Sequence, residues 1–218
     1  MPHSFAPISI PDRRAAVRPA LLAAGLALTL TLGGCATGYT AVESGSRMLD
    51  GALSVPVDGP WVNVDFVGLS GKNGERDALW TLDGVDLNTV SFFVKTADGE
   101  PLLTSPDETV VFPAFRSDMT ELELQELLVD TIAQAHGGVR PEVLAFVPRD
   151  FADSPGFELE LAFTDQNDLQ RRAFIAGAMK EGSLTAIAYE APRIHYYGKD
   201  LGRVRALVDG ARFVSDAT

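Results

Sequence analysis

Hydrophobic and polar residues change their spacing several times along this chain, and each spacing predicts an element. In "WVNVDFVG", Val62, Val64 and Phe66 alternate with Asn63 and Asp65, the period-two pattern of a half-buried strand. "ALWTLDGVDLNTVSFFV" offers two apolar stretches around the turn pair Asp83-Gly84, and Ala97-Asp98-Gly99-Glu100 repeats that turn chemistry. Together these predict a β-meander. At "FRSDMTELELQELLVDTIAQAHGG" the period lengthens: Leu124, Leu127, Leu128, Ile132 and Ala135 recur at helical spacing. Asp118 followed by Glu121 has capping-box spacing, and Gly137 supplies a C-terminal stop.

Period two then returns. "EVLAFVP" reads as a short strand, and "GFELELAFT" sets Phe157, Leu159, Leu161 and Phe163 against Glu158, Glu160 and Ala162, a clear antiparallel signature. "RRAFIAGAMK" and "LTAIAYEA" flank Glu181-Gly182-Ser183 and predict a hairpin. Last, Tyr197, Leu201, Val204, Val208 and Ala211 fall on one stripe, so a closing helix should pack on the sheet. The fold class expected is α+β, an antiparallel sheet of hairpins with a middle helix and a C-terminal helix packed on it. Residues 61–218 form this single domain, and residues 35–60 read as a tether with one early strand, Leu53 to Val57.

The N-terminal region follows a different logic. Arg13, Arg14 and Arg18 form a basic region ahead of Ala20 to Leu32, an uncharged apolar run of thirteen residues. That length suits a secretory signal and is too short to span a bilayer as a helix. It ends in Leu32-Gly33-Gly34-Cys35, which holds the only cysteine of the chain and resembles the lipobox of bacterial lipoproteins. The twelve residues before Arg13 depart from that pattern. The resemblance implies that residues 1–34 are a signal peptide and that the thiol of Cys35 carries a diacylglyceryl group. It further implies cleavage just before Cys35 and acylation, by palmitate or a similar chain, of the new amino terminus. Two or three acyl chains, at about 0.8 kcal/mol per buried CH₂, hold a protein to a membrane essentially permanently. In proteobacterial members an aspartate after the lipidated cysteine tends to retain the protein at the inner membrane. Ala36 stands there instead, which implies the periplasmic leaflet of the outer membrane.

Removal of the leader, with its three arginines and one aspartate, takes the net charge of the 218-residue chain from −12 to −14. A surface of that sign repels nucleic acid and anionic headgroups, apart from local basic spots such as Arg203 with Arg205. With no second cysteine there is no internal disulfide, so the core alone must hold the fold.

The succession "FELELAF", "RRAFIAGAMKEGSLTAIAYEAP", "LGRVRALVDGARF" resembles the PsbP-like superfamily over roughly Trp61 to Val214. That resemblance implies binding and assembly factors, bacterial lipoproteins among them, with no shared catalytic residues.

The residues themselves offer little chemistry. "GLSG", Gly68 to Gly71, is only part of a G-x-S-x-G nucleophile elbow and lies at a strand end. After the leader only His136 and His195 remain, the first beside a helix-ending glycine pair and the second in an aromatic cluster, too few for a zinc site. "DGVDLN", Asp83 to Asn88, has oxygen ligands but not the EF-hand order, and turn chemistry accounts for it. Neither a P-loop nor a dinucleotide fingerprint is present, so no cofactor or metal is expected. Glu158 and Glu160 share one strand face and read as a solvated outer surface rather than an acid–base pair. His195 and Tyr196 are the candidate partner contacts, because aromatic groups with a polar tip are enriched at interfaces. The expectation is a lipid-tethered, non-enzymatic binding or envelope-assembly module for an unknown envelope protein or small ligand. The alternative is a tethered hydrolase, marked by a pocket joining His136 or His195 to a carboxylate and a serine.

Overall fold

Among the residues that the computed structural model describes, 38–64, 79–105 and 107–214, eleven strands and two helices follow in chain order. Six strands come first: β1 (Tyr39–Ala41), β2 (Gly45–Leu49), β3 (Leu53–Val57), β4 (Val62–Val64), β5 (Leu79–Thr81) and β6 (Thr89–Thr96). Helix α1 (Glu121–Ala135) leads into β7 (Glu142–Phe151), β8 (Ser154–Thr164), β9 (Gln170–Lys180) and β10 (Ser183–Pro192). Helix α2 (Tyr196–Asp209) and β11 (Arg212–Phe213) close the chain. Leu32-Gly33-Gly34-Cys35, Asp65, Phe66 and "GLSG" lie outside the described residues.

Eight strands form one antiparallel sheet in the order β1-β4-β5-β6-β10-β9-β8-β7, and β11-β3-β2 form a second. The expected meander is β4-β5-β6, and the expected hairpin is β9-β10, closed by Glu181 and Gly182 at φ 52° and 75°. Both central residues at positive φ give the primed turn whose twist matches paired strands. A second such hairpin joins β7 to β8 through Ala152 and Asp153, at φ 51° and 62°. Side chains of β9 and β10 alternate between the two faces of the large sheet, and both faces are covered. On one, Leu124, Leu127, Leu128 and Ile132 of α1 pack on Leu159 and Leu161 of β8, Ile175 of β9 and Ala186 of β10. On the other, Tyr197, Val204, Leu207 and Val208 of α2 join Phe174, Ile187 and Tyr189 of the sheet and Leu53, Val55 and Val57 of β3.

Four sequence expectations are corrected here. The segment expected to be a tether with one early strand does supply that strand, β3, but adds β1 and β2, with Leu49, Leu53 and Val55 fully buried. Its pattern is irregular because its apolar groups meet α2 rather than one flat sheet, yet each buried side chain still contributes about 1.5–3 kcal/mol. The helix cap is Thr120, not Asp118: Thr120 Oγ1 accepts from the backbone N–H of Glu123, whose carboxylate accepts from the N–H of Thr120. Asp118 is drawn off by Arg116, 3.1 Å away. On α2 the buried set is Tyr197, Asp200, Val204, Leu207 and Val208, while Leu201 is half-buried and Ala211 lies past the helix end.

The fourth concerns Glu158 and Glu160, which are not a solvated face. They point at α2, where Arg205 Nη2 donates to both at 2.9 Å and Arg149 bridges Glu158 to Asp209. The pattern on β8 misleads because its polar positions meet arginines from other elements rather than water. Arg205, committed to this network, is no basic spot for a polyanion.

Candidate functional site

Helix α1 has 15 residues and strands β8 and β9 have 11 each. Those lengths correspond to about 22 Å and about 36 Å, so the helix leaves part of its sheet face uncovered. Past its C-terminal end lies a pocket of about 300 Å³. Its floor comes from strands: Ser91 and Thr89 of β6, Glu190 of β10, which stands opposite Thr89 in register, and Arg171 of β9. Leu79, Val85 and Leu103 give apolar walls, and Asp86 and Asn167 come from loops at the mouth.

The helix end itself shapes one side. His136 is the C-cap residue, Gly137 has φ 82°, and the N–H of Gly138 donates to the Ala133 carbonyl at 2.7 Å, the Schellman closure. A Cβ on Gly137 would sit 3.0 Å from Gln166 Cγ, so glycine there serves both backbone and neighbour. Held in this way, His136 places Nε2 2.6 Å from Glu190 Oε2, with its ring 4.7 Å from that of Phe163. Burial pushes the Glu190 carboxyl upward, but the hydrogen bond and charge of His136, with the charge of Arg171, outweigh it and hold the group below the ordinary glutamate value. Arg171 is 6% exposed; its Nη1 donates to the Asp86 carbonyl at 3.0 Å and lies 3.7 Å from Asp165.

His195 and Tyr196 lie elsewhere, at the corner between β10 and α2. His195 has φ 72° and ψ −62°, and the Tyr196 N–H donates to the Ile194 carbonyl at 3.0 Å, which makes a γ-turn of the strained hand. The His195 side chain is exposed, Ile194 beside it is 75% exposed, and the His195 and Tyr196 rings meet edge to face at 4.9 Å. Behind them the loop 82–88 is organised by Asn88. Its Oδ1 accepts from the Leu82 and Asp83 N–H groups, and its Nδ2 donates to Asp83 and to buried Asp200 of α2. Turn chemistry thus occupies the side-chain oxygens of Asp83 and Asn88 in "DGVDLN". Lys199 Nζ, 2.6 Å from Asp83 Oδ2, draws that carboxyl below its usual range and closes the corner.

The structure therefore brings His136 into a pocket and leaves His195 on an exposed corner, with Tyr196 beside it half-buried against the core. Sequence reasoning did not single out Arg171, Glu190 or Ser91, which sit on three different strands. One signal was available: Glu190 and Arg171 occupy the same side of β10 and β9 as buried Ala188 and Ala173, so each is a charge at a position whose phase is apolar. Among the described residues no group of three metal-ligating side chains is assembled, and no helix is long and apolar enough to cross a membrane.

No family model matches this chain, and no curated protein does. Among solved structures it is similar to the solution structure of cyanobacterial PsbP (CyanoP) from Synechocystis sp. PCC 6803. The TM-score is 0.50 at 11% identity, covering 84% of this chain and 96% of that one. It is also similar to LpqN of Mycobacterium tuberculosis, described as involved in cell envelope biogenesis, with a TM-score of 0.44 at 9% identity over 81% and 91% of the two chains. At such identities the first likeness is one of fold, and it is the fold that the PsbP-like resemblance of the sequence implies.

Proposed function

We propose that the protein is an envelope lipoprotein, anchored through lipid on Cys35 to the periplasmic leaflet of the outer membrane, that works as a non-enzymatic binding or assembly module. The observation that carries the binding reading is the pocket beyond α1. It is built from four strands and a helix end, and its one histidine is bonded to Glu190. The lipobox resemblance supports the anchor, and the corner where Ile194 and His195 are exposed beside half-buried Tyr196 supports a second contact with a partner.

Cross-linking and capture from native membranes, with the lipidated chain as bait, tests this reading. Wild type should retain a partner that the His195→Ala/Tyr196→Ala double variant retains weakly while keeping its fold, and Cys35→Ala should leave an uncleaved or soluble form. An unmodified Cys35 in the purified membrane form ends the anchor, and recovery chiefly with inner-membrane vesicles ends the outer-membrane assignment.

One observation favours a hydrolase as second reading: Ser91 lines the same pocket as the His136–Glu190 pair. Turnover of an ester, peptide or glycan that is lost in Ser91→Ala and in His136→Ala, with both variants folded, would replace the module reading.

A further inference from the structure

The pocket carries charges of both signs, and its groups are not all used. Arg171 Nε is buried and has no hydrogen-bond acceptor, although its Nη1 is engaged. A donor taken out of water and left unpaired is costly, and an acceptor that entered the pocket would reach this closed-off atom if the Arg171 side chain turned toward it. The carboxylates differ among themselves. Asp165 Oδ1 is occupied by the backbone N–H groups of Asn167 and Leu169. Glu190 gives Oε2 to His136 and lies at the floor, while exposed Asp86 stands at the mouth. Three carboxylates against one guanidinium and one histidine make the pocket acidic, as the whole chain is.

A cation alone would leave Arg171 Nε unsatisfied, and an anion alone would enter a net negative field. We propose that the pocket takes a free α-amino acid with an aliphatic side chain, its ammonium on Glu190 and Asp86, its carboxylate on Arg171 and its side chain against Leu79, Val85 and Leu103. A volume of about 300 Å³ stands at the small end of ligand clefts and suits one such molecule. This inference rests on the binding-module reading and names the ligand class of its pocket.

Isothermal titration of the full-length protein in detergent decides it, with valine, isobutylamine (valine without its carboxylate) and 3-methylbutanoate (valine without its ammonium) as probes. Valine should bind, and each analogue should bind at least tenfold more weakly. Arg171→Lys, which keeps the charge but loses the guanidinium, and Glu190→Gln should each weaken valine at least tenfold. If Arg171→Lys does not fold, the two analogues and Glu190→Gln decide alone. Absence of valine binding, or isobutylamine bound as tightly as valine, overturns the proposal. Partner capture from membranes is read separately, so a module that holds its partner but ignores valine fails here and not there.

Discussion

His195 holds a backbone conformation that side chains with a Cβ adopt at a cost of about 1–3 kcal/mol. Glycine would relieve that strain and give back about 0.5–1 kcal/mol in unfolded-state entropy. His195→Gly should therefore stabilise the protein by about 1 kcal/mol, a rise of a few degrees in melting temperature. A variant melting below wild type would mean that the imidazole makes a structural contribution larger than the strain. Strain kept at an exposed histidine is a cost that a contact with a partner would explain.

Glu190 makes a second prediction at this scale. Its folded carboxyl ionises below the ordinary value of 4.5, so the native state binds this proton less readily than the unfolded chain. The pair thus contributes stability that is full above pH 4.5 and is lost as pH falls through the lower folded value. Chemical denaturation at a series of pH values should show a steeper acid loss in wild type than in Glu190→Gln. Equal slopes would remove the pair from the stability of the helix end.

Among the elements, α2 ties three strands together, because it packs on β10, on β9 and on β3. Val204 is fully buried between them, whereas Leu201 is half-buried. Val204→Asp should cost several kcal/mol, comparable to the whole stability of many domains, while Leu201→Asp should cost clearly less. Equal losses in thermal melts of the two variants would contradict this placement of the helix. Strand β8 depends on α2 through charge: Arg205 spans from the helix to Glu158 and Glu160, whose side chains are 14% and 24% exposed. Arg205→Ala leaves two carboxylates side by side with one cation fewer and should cost about 1–3 kcal/mol, with the loss shrinking when Glu160→Gln is added. A double variant no more stable than the single one would show that the arginine acts through its stem alone.

For the molecule as a whole, the eight-stranded sheet is covered by unequal layers. Helix α1, with Leu102 and Phe115 of the segment before it, covers one face and runs out before the strands do, which leaves the pocket. On the other face α2 and the three-stranded sheet share the cover, so β2 and β3 are part of the core rather than of a free leash. A lipid on Cys35 would then hold the folded domain close to the membrane, because only three residues separate it from β1 at Tyr39. Inserting about 20 flexible residues after Ala36 should leave the melting temperature unchanged and alter partner capture. Loss of folding in that variant would place residues 36–38 within the core.

Part of this fold depends only on neighbours along the chain. Alternation in "GFELELAF" and "RRAFIAGAMK", the turn at Glu181-Gly182 and the stripe of Leu124, Leu127, Leu128 and Ile132 each state a period that one element reads locally. The α+β order followed from them. Tertiary structure decided what depends on groups far apart. Ser91, His136, Arg171 and Glu190 meet only because β6, β9, β10 and the end of α1 are adjacent in space, and no local period encodes that meeting. The same holds for β2 and β3, whose apolar residues are buried by α2 some 150 positions later in the chain. It holds too for Glu158 and Glu160, where alternation announced a polar face and only the approach of Arg149 and Arg205 made that face an interior one. A period fixes which side of a strand is polar; whether water or an arginine meets that side is set by what packs there.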